Sequence, residues 1–273
     1  MKLICWNIAR RDEAWRRLLD SDADVALLQE ATAPPADVAA RIEVDAEPWY
    51  TGGANAQRPW RTAVVQLSRR VQVEWLRPRP IDDAAPGELA ASRAGSLAAA
   101  TVVAPDGDRY VVMSLYAMWE RPHRMTGSGW IYADASAHRL ISDLSVFLGQ
   151  QTGHRVVAAG DLNILHGYGE GGNAYWAARY QTIFQRMEAL GLPFVGPQAP
   201  NGRRAEPWPT ELPLSSDNVP TYHTIRTSPA EATRQLDFVF ASSELVPRVH
   251  VCALNEPADW GPSDHCQLHI EIR

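Results

Sequence analysis

The sequence predicts an α/β (α+β) protein built as a four-layer sandwich: two mostly antiparallel β-sheets packed face to face, with helices on the outside. Three observations lead there. Short apolar runs of strand length, bounded by turn residues, recur along all 273 residues. The turn Pro105-Asp106-Gly107-Asp108 joins residues 96–103 to 109–116 as a hairpin. Long segments of helical periodicity are interleaved with the strands rather than gathered at one end. A doubly wound parallel sheet is the alternative, weakened by the hairpins and by the shortage of helices between strands in residues 62–116. No Gly/Ser linker or composition break divides the chain, so residues 1–273 read as one domain.

The elements follow in order. Residues 2–6 form a buried strand. Residues 12–19 place Trp15, Leu18 and Leu19 at helical spacing, and residues 24–29 are a second strand, so the chain opens β-α-β. Pro34-Pro35 starts a short helix. Residues 62–67 and 71–75 read as paired strands, and residues 78–91, with Pro78, Pro80, Pro86 and Gly87, as a loop. Residues 135–151 put Leu140, Ile141, Leu144, Phe147 and Leu148 on one helical face, with Gly153 as a stop. A strand at 155–159 precedes a second long helix, 173–190, ended by Gly191. Residues 197–220 are a proline-rich loop. Strands at 235–241, 248–254 and 267–272 close the chain.

Hydrophobic content of 45% suits a sizeable core, and a net charge of −6 excludes a protein whose whole surface is basic. A local cationic cleft stays compatible with that total. Cys5, Cys252 and Cys266 lie in apolar runs without metal spacing, which predicts reduced, buried thiols. No run approaches the roughly 20 apolar residues of a membrane span, and the start is too short and too soon polar for a signal peptide. A cytoplasmic monomer is expected, and no protein partner can be inferred.

Polar islands border the apolar runs. They are Trp6-Asn7, Gln29-Glu30, Gly160-Asp161-Leu162-Asn163 and Ser263-Asp264-His265-Cys266, with Asp237 inside Gln235-Leu236-Asp237-Phe238-Val239-Phe240. Carboxylates and carboxamides at strand ends, far apart in sequence, suit a hard-metal phosphoester site. Singly each has a plainer reading. Glu30 alone is a solvated strand-end acid, and Tyr116 alone an ordinary strand-end aromatic. Asp161 and Asn163, two apart, share one side of an extended segment but equally fit a turn or helix cap. Asp237 in an apolar strand needs either backbone amides or a partner to offset its burial.

Together the segments Ile4-Cys5-Trp6-Asn7-Ile8, Leu28-Gln29-Glu30, Ser114-Leu115-Tyr116, Gly160-Asp161-Leu162-Asn163, Gln235-Leu236-Asp237-Phe238-Val239 and Ser263-Asp264-His265-Cys266 resemble, in order, those of the endonuclease/exonuclease/phosphatase superfamily. That superfamily includes exonuclease III-like enzymes and deoxyribonuclease I. The resemblance implies a metal-dependent phosphoester hydrolase using Mg²⁺, with Mn²⁺ able to replace it, and in-line attack of water on phosphorus. It implies Glu30 as the principal metal carboxylate, with Asn7 and Asp264 beside it. Asp161 and Asn163 would orient or deprotonate the water and bind a phosphate oxygen. His265 would contact the scissile phosphate, its Nδ1 proton held by Asp237. Tyr116 would donate to a phosphate oxygen. The base role falls to Asp161 and His265 as a pair.

Three departures bear on the substrate. Ala9 stands where exonuclease III-like enzymes carry an acid two residues after the first Asn. Ala117-Met118-Trp119-Glu120 stands where Pro-Asn follows the tyrosine. The segment 164–169 matches no lipid-phosphatase pattern. Abasic-site activity is thereby put in doubt. For nucleic acid speak Trp119, Trp130, Trp176, Trp208 and Trp260 in loops or element ends, with Arg121, His123, Arg124, Arg203 and Arg204. For a small phosphoester speak the acidic total charge and the long loops. Arg124, His138, Trp119, Tyr222 and His223 are the substrate-binding candidates, His138 also fitting a helix-surface position. A catalytically dead binding protein is the remaining class, and it would be expected to have lost ligands that are all present here.

Overall fold

In the computed structural model, which describes residues 1–51, 58–85, 88–148 and 155–273, the expected β-α-β opening is β1 (Lys2–Asn7), α1 (Asp12–Leu18) and β2 (Val25–Ala31). Then come α2 (Ala36–Ala39), β3 (Glu43–Val44), β4 (Arg61–Gln66), β5 (Gln72–Leu76) and the short pair β6 (Arg79–Pro80) and β7 (Ala90–Ala91). The hairpin is β8 (Leu97–Val103) and β9 (Arg109–Tyr116). The rest is α3 (Ala133–Leu148), β10 (Val156–Asp161), α4 (Ala174–Ala189), β11 (Phe194–Gly196), β12 (Asp237–Ala241), β13 (Val249–Leu254) and β14 (Gln267–Ile272). Pro86, Gly87, Gln151 and Gly153 lie outside the described residues, as do the side chains of Phe147 and Leu148.

Two six-stranded sheets result, ordered β13-β14-β1-β2-β4-β3 and β11-β12-β10-β9-β8-β5. Each holds one parallel pair, β1/β2 or β9/β10, among antiparallel neighbours. A parallel pair needs a crossover, which α1 and α3 supply.

Strand alternation builds the layers. Leu3 and Cys5 of β1 face the second sheet and join Val25, Leu27, Ala100, Val112, Val157 and Val239 in the central core. Ile4 and Trp6 face outward, where Ala14, Trp15 and Leu18 of α1 cover them. On the other outer face, Met113, Ala158 and Phe238 pack under Leu140 and Leu144 of α3 and Ile183 and Phe184 of α4. With both faces covered, the central strands β1, β4, β10 and β12 are buried almost throughout rather than alternating.

The structure corrects three expectations. β4 and β5 do not pair: β4 lies between β2 and β3, and β5 pairs with β8 in the other sheet. The turn between them carries the chain across the sandwich edge, because β4 is buried on both faces while β5 alternates like an edge strand. The stretch 78–91 is not all loop, since β6 and β7 pair within it. Cys252 is exposed rather than buried, because Val249, Val251 and Ala253 take the inward positions of β13. Among the described residues no helix is long and apolar enough to cross a membrane.

Candidate active site

The two parallel pairs point their C-terminal ends to the same side of the sandwich. Asn7 is opposite Gln29, Tyr116 is opposite Asp161, and Asp161 is also opposite Asp237 at the start of β12. Crevices beyond the carboxyl ends of parallel strands are where open α/β sheets place ligands. Gly160 makes the close approach possible: a Cβ there would stand 1.8 Å from the Leu115 carbonyl oxygen. Its absence lets β9 and β10 meet, setting Asp161 beside Tyr116.

Backbone strain gathers at this edge. Among the described residues the non-glycine positions with positive φ are Ala9, Arg10, Glu30 and Asn163, and the last three line one cavity. Such outliers persist where the surroundings hold them, and they cluster at functional sites. Glu30 owes its position to a bulge: the β2/β4 register breaks between Leu28 and Ala31. Gln29 stays buried between the sheets, donating from Nε2 to Ser114 Oγ at 2.9 Å, and the bulge turns Glu30 into the cavity.

A buried chain of hydrogen bonds and one longer charge contact forms the floor. Thr221 Oγ1 donates to Asp237 Oδ2 at 2.6 Å, and His265 Nδ1 lies 2.8 Å from the same oxygen. His265 Nε2 is 3.7 Å from Asp161 Oδ2. Asp161 accepts from the Asn163 backbone N–H at 2.9 Å, from Asn7 Nδ2 at 3.0 Å and from Asn163 Nδ2 at 3.2 Å. The histidine's backbone is fixed as well: its carbonyl accepts from the Trp6 indole at 2.8 Å, and its N–H donates to Ser263 Oγ at 3.2 Å. Ser263 in turn donates to the Asn7 carbonyl at 2.6 Å.

These contacts set the charges. Burial alone would lower the His265 imidazole, but the carboxylates of Asp237 and Asp161 outweigh it and hold it up at about 10. Burial, opposed by the imidazolium, pushes Asp161 up to about 7. The two acidic side chains thus favour the charged form of the imidazole that lies between them. Tyr116 is held well above its usual value, first by burial and then by the Glu30 and Asp161 carboxylates.

The residues expected to hold a metal offer oxygens only, which fits a hard divalent cation. Glu30 and Asp264 line the same cavity. Glu30 Oε1 accepts from the Tyr116 phenol at 2.9 Å, and Arg10 Nε lies 3.2 Å from Oε2. Tyr116, expected to donate to phosphate, here orients Glu30. Asn7 Oδ1 accepts from the Ala9 N–H at 3.0 Å, keeping one acceptor site in reserve. Asp161, Asp237 and His265 form the tight three-residue cluster, but Nδ1 of the histidine is already committed to Asp237.

The cavity measures about 810 Å³ and is walled by Trp60, Tyr116, Trp119, Trp130, Tyr180 and Tyr222 with the Glu170–Arg234 pair. Trp119, 52% exposed, donates to Asn163 Oδ1 at 2.9 Å. Trp130 stacks on Trp176 at 4.0 Å between ring centroids. Tyr222 lies over the His265 ring, centroids 4.9 Å apart. The other expected substrate residues are elsewhere. His138 faces α4, 2.9 Å from Arg186 Nη1. His223 turns its Nδ1 to the Thr227 carbonyl and its ring to Trp260, which is buried in the core. Arg124 is exposed beyond the lining residues. Trp208 bonds the Leu212 carbonyl, Arg203 the Asn255 and Pro229 carbonyls, and Arg204 the Asp217 carboxylate. Sequence reasoning missed Arg10, Trp60, Glu170, Thr221, Arg234 and Ser263 as site residues. Ser263 was visible as the neighbour of Asp264, whereas the others meet the site only through long-range packing.

The sequence profile of the Endonuclease/Exonuclease/phosphatase family matches residues 4–265. No curated protein sequence matches the chain. Solved structures share the fold. The endonuclease domain of TRAS1, a telomere-specific non-LTR retrotransposon, superposes with a TM-score of 0.62 at 14% identity, covering 100% of this chain and 98% of that one. The AP endonuclease LMAP from Leishmania major gives 0.63 at 16% identity, covering 100% and 87%. The 3' phosphatase NExo from Neisseria, bound to product DNA hairpin, gives 0.60 at 17% identity, covering 100% and 99%. A profile match that spans nearly every segment of the site makes the chain a member of the endonuclease/exonuclease/phosphatase family.

Proposed function

We propose that the protein is a divalent-metal-dependent phosphodiesterase of the nuclease type. The observation that carries this is the buried Asp237–His265–Asp161 chain, opening onto a cavity whose wall holds Glu30 and Asp264. Glu30 and Asp264, with Asn7 beside them, would hold the cation. A divalent ion held by these oxygens would supply charge neutralisation to the phosphoryl group and the leaving oxygen.

The chain's own residues do the rest. Asp161, aligned by the Asn7 and Asn163 amides and pushed up to about 7 by burial, takes the proton of the attacking water. The P–O ester bond opposite breaks as the new one forms. His265, kept charged between its carboxylates, donates from Nε2 to a phosphoryl oxygen. Asp237 and Thr221 fix its ring. Trp119 occupies Asn163 Oδ1, and the Asn163 Nδ2 amide divides its two donors between Asp161 and the Ala117 carbonyl, which holds it beside Asp161.

Nucleic acid is the substrate this reading favours, supported by the DNA-bound Neisseria phosphatase and the two endonucleases of the same fold. A phosphomonoesterase would use the same residues, and the test separates the two. Single-stranded, duplex, abasic and RNA oligonucleotides are assayed with Mg²⁺ or Mn²⁺ beside nucleotide, sugar and inositol phosphates. Diester cleavage abolished by chelator is expected. Release of phosphate from monoesters alone moves the assignment to the phosphatase, and no hydrolysis of any substrate overturns both.

A further inference from the structure

The glycine-rich run Gly167-Tyr168-Gly169-Glu170-Gly171-Gly172 plays no part in the chemistry above, yet it delivers a carboxylate to the cavity wall. At Gly169 a Cβ would stand 2.2 Å from the Asn173 carbonyl oxygen and 2.5 Å from the Ala177 nitrogen, so glycine lets the run lie against the first turn of α4. Glu170 is thereby fixed, and Arg234 grips both its oxygens, at 3.2 and 2.7 Å. Arg234 is itself tied by a β-bridge to Tyr222. The fork leaves further donors on the guanidinium and further acceptor sites on the carboxylate.

Size and charge restrict what this wall meets. About 810 Å³ lies near the upper end of ligand pockets and far exceeds the need of a phosphate group. The guanidiniums lining the cavity, Arg10 and Arg234, are each paired with a carboxylate, Glu30 or Glu170. They offer little free charge for following a duplex backbone. Rings of Trp119, Trp130, Tyr180 and Tyr222 make up much of the remaining wall, and every base has a face that stacks on such rings.

We infer that Glu170 and Arg234 form a base-binding subsite, hydrogen-bonding the edge of an unpaired nucleobase next to the scissile phosphate while the aromatic rings hold its face. The inference rests on the phosphodiesterase reading and names its substrate: a strand with an unstacked base.

The test titrates intrinsic tryptophan fluorescence, in chelator, with a single-stranded oligonucleotide and with the same oligonucleotide carrying abasic sites. Wild-type protein should prefer the base-bearing strand, and Glu170→Gln should reduce that preference about tenfold, the scale of one good polar readout. Arg234→Lys, which keeps the charge but loses the fork, should reduce it likewise and serves if Glu170→Gln does not fold. An unchanged preference in both variants overturns the subsite. Hydrolysis of the same strands with Mg²⁺ keeps the two claims apart: preference without cleavage removes the phosphodiesterase, and cleavage with unaltered preference removes the subsite alone.

Discussion

Asp161 receives three N–H donors and faces one imidazolium, all within 3.7 Å. Such a group is held ready rather than free to move, and its loss cannot be made good by solvent. Asp161→Asn and His265→Gln should each lower kcat by about 10²–10⁴-fold, the range for a positioned acid or base. Rates within a few-fold of wild type for either would remove that residue from the chemistry. The imidazolium also affects stability. Burial lowers His265, the neighbouring carboxylates raise it further, and the folded value stands near 10 against an ordinary 6.5. A raised group stabilises the fold fully below its unfolded value, and that stability is lost as pH rises through the folded one. In chelator, wild type should therefore exceed His265→Gln in urea-unfolding free energy by most near pH 6, the gap shrinking toward pH 10. A gap that widens with pH contradicts the charged imidazole. Much at this scale was legible: Asn7, Glu30, Asp161, Asn163, Asp237, Asp264 and His265 all reach one edge of the sandwich. Glu170 and Arg234 were not, because an ion pair 64 positions apart leaves no local pattern.

At the scale of elements, the site depends on how closely β9 and β10 meet. Gly160→Ala puts a methyl group against the Leu115 carbonyl oxygen, 1.8 Å away, where backbone rather than a flexible side chain must yield. Overpacking of this kind costs about 1–3 kcal/mol and sometimes more. Urea unfolding should show that loss together with reduced activity, and wild-type stability would mean the strands are not so tightly apposed. Most strands and helices could be read from their apolar runs because both sheet faces are covered. The partners of β4 and β5 could not. A five-residue gap suits a hairpin as well as an edge crossing, and what decides is the burial of β4 on both faces. His138 shows the same limit on a helix: periodicity places it on a surface, and only the position of α4 shows that this surface meets a second helix and not the cavity.

For the whole molecule, a net charge of −6 and a cavity whose arginines are already paired imply weak dependence on salt. Each phosphate neutralised contributes about −0.7 to −0.9 to the slope of log affinity against log salt. Single-strand binding followed from 50 to 300 mM salt should give a slope of only about −1 to −2. A slope several times steeper would place the substrate across an extended basic surface instead. The sequence carried the sandwich and the segments that meet at its site, but not the shape of the mouth, where two of five expected tryptophans line the cavity and Trp60 joins them. The central claim is that strand-end oxygens and the buried Asp237–His265–Asp161 chain act together on a phosphodiester. One titration tests it most directly: the rate of diester cleavage against Mg²⁺ concentration for wild type, Glu30→Gln and His265→Gln. The account predicts that Glu30→Gln needs far more Mg²⁺ to reach its maximum, while His265→Gln keeps the wild-type Mg²⁺ requirement at a maximum lowered about 10²-fold or more. Cleavage by wild type that ignores Mg²⁺ and chelator alike would contradict it.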